Sequence, residues 1–85
     1  FRLQLGSVRN KSKTKQIYKN FKKKFPKYFL SEYPYIEKVV IKDRGTFYRI
    51  KSFESYSKEE AKKICKKLLS EKFDCLISKR NSIWN

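Results

Sequence analysis

The sequence predicts an α+β domain: one four-stranded antiparallel sheet with two helices packed on the same face, in the order β-α-β-β-α-β. Three observations predict it. The chain runs twice through the same succession, a strand-like run that feeds a basic helical stretch and returns through a second strand-like run. Apolar residues alternate with period two in the strand-like runs and recur at helical spacing between them. The 85 residues suffice for one domain with a single modest core, and for no second domain or deep cleft.

The first strand is the run Phe1-Arg2-Leu3-Gln4-Leu5-Gly6-Ser7. Alternation sends Leu3 and Leu5 toward the helices and Arg2 and Gln4 to the open side, with Ser7 at the edge where strand gives way to helix. The first helix is capped by Asn10 or Ser12, carries Ile17, Tyr18, Phe21 and Phe25 as its buried stripe, and stops before Pro26. Between Lys27 and Pro34 the connection is rich in aromatics (Tyr28, Phe29, Tyr33) and is expected to pack down on the core.

A second strand from Ile36 to Lys42 leads into Asp43-Arg44-Gly45, a tight hairpin with Gly45 in the left-handed conformation. The third strand is Phe47-Tyr48-Arg49-Ile50-Lys51-Ser52-Phe53. With Tyr48, Ile50 and Ser52 toward the helices, Phe47, Arg49, Lys51 and Phe53 face outward. Ser57 followed by Glu60 is a capping box, and Ala61, Ile64, Cys65, Leu68 and Leu69 form the apolar stripe of a second helix of roughly four turns. Cys75 to Ser78 closes the sheet. The order is that of ferredoxin-like and RNP-like domains.

Composition restricts the function. The formal net charge is +15, which suits an anionic or carbohydrate-rich environment. Many of the lysines, such as Lys22, Lys23, Lys24, Lys62 and Lys63, lie on outward helix faces and also serve as a solvated coat. With no histidine and scattered acidic residues, nucleophile–base pairs and metal sites lack their usual members. No enzyme activity, metal or cofactor is expected. No apolar run approaches the ~20 residues a bilayer crossing needs, so direct membrane insertion by this domain is not expected either. The chain opens at Phe1 in mid-strand, and the expectation is a domain of a longer protein with any signal or anchor upstream.

The open face is expected to carry Arg2, Gln4, Phe47, Arg49 and Lys51, with Ser7 at its margin. Fork-shaped donors, an amide and aromatic planes match a sugar polymer, whose rings offer C–H faces for stacking and a rim of hydroxyls. They also suit RNA, and alternating polar residues would keep a free sheet face soluble even without a ligand.

On Phe1-Arg2-Leu3-Gln4-Leu5-Gly6-Ser7, Gly45-Thr46-Phe47-Tyr48-Arg49-Ile50, Glu59-Glu60-Ala61 to Leu68 and Phe73-Asp74-Cys75-Leu76-Ile77, the chain resembles the SPOR domain of bacterial division and spore-cortex proteins. It is most similar to alphaproteobacterial members, in which a cysteine of the second helix is followed by one at the start of the last strand. The likeness runs from Phe1 to about Lys79, within a domain taken as residues 1–80 followed by a tail, 81–85.

The resemblance implies non-catalytic binding of septal peptidoglycan, with preference for glycan strands stripped of their stem peptides. It also implies that the domain targets a cell-division or cell-wall protein to the septum. The family's Gln-x-Gly-Ser segment carries over onto Gln4 and Ser7, and the arginine of its Tyr-Arg third strand onto Arg49. Arg2, Arg49 and Lys51 would pair with the lactyl carboxylates that amidases expose, and Phe47, Tyr35 or Trp84 would stack on a ring. The implied setting is the periplasm, tethered to the inner membrane by an upstream segment and enriched at the septum. The domain is expected to be monomeric, with glycan strands and no nucleic acid as partner. Two features depart from the family: Ser52-Phe53-Glu54 stands where the third strand usually continues into Gly-Pro, and the sole tryptophan, Trp84, lies in the tail.

The alternative is single-stranded RNA binding of the RNA-recognition-motif type, since Arg44-Gly45-Thr46-Phe47-Tyr48-Arg49-Ile50 begins like that motif's third-strand signature. The match then decays, with Arg49 interrupting the aromatics and Gln4 standing where a stacking ring belongs. Cys65 and Cys75 admit two readings: small apolar thiols of the core, or a disulfide worth roughly 2 to 3 kcal/mol if the domain is exported.

Overall fold

A computed structural model describes residues 1–78. The elements run β1 (Arg2–Val8), α1 (Lys13–Lys24), β2 (Tyr35–Ile41), β3 (Gly45–Lys51), α2 (Lys58–Ser70) and β4 (Leu76–Ser78). They form the four-stranded antiparallel sheet and two helices of the ferredoxin-like order, with strand order β2-β3-β1-β4. Residues 79–85, and with them Trp84, fall outside the described part.

One core lies between sheet and helices. Leu3, Leu5 and Ile50 rise from the central strands to meet Tyr18, Phe21 and Phe25 of the first helical segment and Ala61, Ile64, Cys65 and Leu68 of α2. Phe29, wholly buried, inserts from the connection and packs edge-on against Tyr18 and Phe21. The aromatic connection therefore packs down through Phe29 and the half-buried Tyr28. Tyr33, however, is 61 % exposed. Leu69 is likewise 55 % exposed, since it lies just past the edge of the stripe formed by Ala61, Ile64, Cys65 and Leu68.

Local signals explain the boundaries. The capping box of α2 forms as expected: Glu60 N–H donates to Ser57 Oγ (3.2 Å), and Ser57 N–H to Glu60 Oε1 (3.4 Å). At α1 the side chain of Ser12 caps nothing, and Asn10 Oδ1 instead accepts from the Ser12 N–H (3.0 Å) and hydroxyl (2.7 Å). In the β2–β3 hairpin Arg44 N–H donates to Ile41 O (3.0 Å), and positive φ falls at Gly45 (98°) and also at Asp43 (68°). Aspartate tolerates that region because its short polar side chain bonds locally. Beyond β3, Ser52 continues the ladder: its N–H donates to Leu3 O (2.8 Å) and its buried hydroxyl accepts from Leu3 N–H (2.9 Å).

Cys65 and Cys75 are joined as a disulfide, with Cα atoms 5.4 Å apart, tying α2 to the residue that precedes β4. Among the described residues no helix is long and apolar enough to cross a membrane.

Candidate functional site

Cross-strand partners in an antiparallel pair share a face. One row across the sheet is Tyr35, Lys51, Gln4 and Leu76, and the next is Glu37, Arg49 and Ser7. Val39 and Phe47 begin a third. These rows lie opposite Leu3, Leu5 and Ile50, on the side the helices leave uncovered. The structure thus brings Arg2, Gln4, Ser7, Phe47, Arg49 and Lys51 to one face.

A bulge between Gln4 and Gly6 makes this possible for β1. Uninterrupted alternation would turn Gly6 and Val8 outward; the extra residue instead pairs Gly6 with the buried Ile50 and puts Ser7 opposite Arg49. β4 pairs only as far as Gln4, and beyond it Gln4, Ser7, Asp74 and Leu76 border a groove of about 400 Å³.

The cations of this face are already engaged. The ammonium of Lys51 lies 3.0 Å from Glu37 Oε1 and donates to Ser78 Oγ (3.0 Å), and the residue is only 5 % exposed. The same Oε1 is 3.7 Å from Arg49 Nη1. Both contacts are ion pairs, and Oε1 takes no hydrogen bond. Arg2 reaches over to stand 3.9 Å from the centre of the Tyr35 ring, with its Nε buried and unbonded. Arg9 sits 4.8 Å over Phe47. Guanidinium–aromatic stacking of this kind holds both groups rigid and presents a broad, flat, partly apolar surface.

The geometry adds Glu37 and Arg9 to the expected residues and gives Tyr35 a different contact. Glu37 follows from carrying alternation through the hairpin into β2, where Tyr35, Glu37, Val39 and Ile41 must face outward. Arg9 is hidden by the bulge, which no periodicity reveals. Tyr35, considered for stacking on sugar, holds Arg2. Among the described residues no group of histidine, cysteine, aspartate or glutamate side chains is arranged to hold a metal.

A family model described as SPOR domain matches residues 1–79. No curated protein matches the chain, and no solved structure does.

Proposed function

The chain belongs to the SPOR domain family, a family of peptidoglycan-binding domains found in cell-division proteins, and from that premise we propose that it binds glycan strands denuded of their stem peptides and carries its parent protein to the division septum. The binding residues of this reading are Arg2, Gln4, Ser7, Phe47 and Arg49, with Lys51 acting from beneath Glu37. The observation that carries it is the convergence of these side chains, from β1 and β3, on one uncovered sheet face.

The chemistry supports a sugar polymer over a nucleic acid. A nucleic acid carries a charge at every unit and would press phosphates onto Glu37 at the centre of the face. A denuded glycan carries its carboxylates only on alternate sugars, so neutral ring faces can lie over the stacked Arg2–Tyr35 and Arg9–Phe47 pairs. Gln4 and Ser7, at the mouth of the β1–β4 groove, supply directional hydrogen bonds to hydroxyls. Such weak contacts, each worth about 0.2 to 1 kcal/mol when exposed, require several sugars in register. The natural setting of this activity is the periplasm, where the wall is accessible.

Pelleting with purified sacculi tests the reading. Binding is expected to rise after amidase digestion and to fall on Gln4→Ala; equal binding to intact and digested sacculi would overturn the preference for denuded strands.

A further inference from the structure

We infer that the negative charge of the glycan is read away from the sheet face, in a basic trough between α1 and the 30–36 segment that continues the binding surface around the β2 edge. The inference rests on the proposed glycan-binding function and extends its footprint.

The trough runs along the edge strand β2, between it and α1. Two adjoining depressions, of about 290 and 560 Å³, share Lys15, Tyr33 and Pro34 as lining. Lys11, Lys15 and Lys19 form one wall, and Tyr33, Pro34 and Ile36 the other. Lys15 and Lys19 are one helical turn apart, about 6 Å along the axis. Lys22 clamps the far wall by donating to the carbonyls of Ser31 (3.1 Å) and Leu30 (3.5 Å). Glu32 is the one carboxylate among the lining residues.

Two contrasts with the sheet face carry the argument. On the sheet, Arg49 and Lys51 share the single carboxylate of Glu37, and the guanidiniums of Arg2 and Arg9 lie on rings. In the trough, Lys11, Lys15 and Lys19 are exposed and, among the described residues, pair with no carboxylate. Helix α1 has no acidic residue in its first turn and ends on Lys22, Lys23 and Lys24. Its like charges one turn apart repel and weaken the helix unless an anion lies between them. The two surfaces also join. Pro34 lines the trough, and the next residue, Tyr35, holds Arg2 on the outer face. A strand whose sugar rings lie on the sheet can pass over this edge, stack a ring on the exposed Tyr33 and bring its lactyl carboxylates to Lys15 and Lys19.

Amidase-stripped glycan chains fractionated by length test this directly, by titration at low and at physiological salt. The natural chain should bind long chains more tightly than short ones, with the gain eroding as salt rises. Lys15→Gln/Lys19→Gln, at two exposed positions and checked for unchanged melting, should bind the shortest chains as before. It should lose about tenfold on long chains at low salt and show a flattened salt dependence. Gln4→Ala should instead weaken binding at every length and leave the salt dependence intact. Long chains with carboxylates amidated by carbodiimide should bind the natural chain as weakly as unmodified ones bind the lysine variant. Unchanged length and salt dependence in that variant would overturn this inference alone, whereas failure of the natural chain to bind any glycan sample would overturn the parent reading and this one with it.

Discussion

The carboxylate of Glu37 lies 3.0 Å from the ammonium of Lys51 in the middle of an otherwise uncovered sheet face, and the lysine is nearly sealed from water. The same ammonium donates to the hydroxyl of Ser78 (3.0 Å), and Arg2 stands over the ring of Tyr35 on the same face. A buried ammonium is tolerable only while its partner stays charged.

The two members of the pair should therefore respond unequally to removal. Glu37→Gln leaves Lys51 charged and unpaired, and should cost about 1 to 3 kcal/mol, less than a fully enclosed pair because Glu37 keeps some exposure. Lys51→Met places an apolar chain in the same space and leaves Glu37 beside Arg49, so the loss should stay within about 1 kcal/mol. Urea denaturation of both variants checks the order, and a costlier methionine variant would show that the ammonium itself holds the face together.

Gln4→Ala and Arg49→Ala should separate binding from stability. Both side chains point away from the core, so denaturation midpoints should stay within about 0.5 kcal/mol of the natural chain. Sacculus binding should fall several-fold in each. Unfolding of either variant would mean that the residue is structural.

With Cys65 and Cys75 joined, a thiol assay on oxidised, denatured protein should find no reactive group. Closure of so short a loop should add about 2 to 3 kcal/mol, read as a lower melting temperature in reductant. Two titratable thiols in the oxidised sample would reject the bond.

Alkaline stability should decline between about pH 10 and 12. The phenols of Tyr18 and Tyr56 are both pushed up to about 12, chiefly by burial and secondarily by the nearby Glu54 carboxylate. Each donates to a backbone carbonyl, Tyr18 to Ser31 (2.7 Å) and Tyr56 to Tyr28 (2.6 Å). Below pH about 10 both phenols are neutral in folded and unfolded chains alike, and their stabilisation is fully present. Above it the unfolded chain ionises first, and stability drains away as pH rises toward the folded value. Tyr18→Phe, monitored by circular dichroism, should cost about 1 kcal/mol at neutral pH and make the alkaline decline shallower. An unchanged alkaline profile in that variant would exclude Tyr18 as a source.

Much of this architecture was readable along the chain, because helical stripes, the Ser57–Glu60 cap and the Asp43-Arg44-Gly45 turn are local and their physics needs no partner. Period two alone separated Leu3, Leu5 and Ile50 from Gln4, Arg49 and Lys51. Sequence reasoning failed where local periodicity met its limits. Leu69 belongs by spacing to the stripe of α2 yet points past the edge of the core. Asn10, not Ser12, bonds the start of α1, since both are good caps and only the backbone path chooses between them.

By itself, then, the order of amino acids determined the element succession, the sidedness of the sheet and the family, all consequences of spacing and local backbone preference. Only the tertiary structure decided which charges on that side are free. The neutralisation of Lys51 by Glu37, the stacking of Arg2 on Tyr35 and the turn that brings Ser7 opposite Arg49 join residues far apart in the chain. Such pairings depend on strand register and on one extra residue in β1, and a side chain's electrostatic state is set by what lies across from it in space.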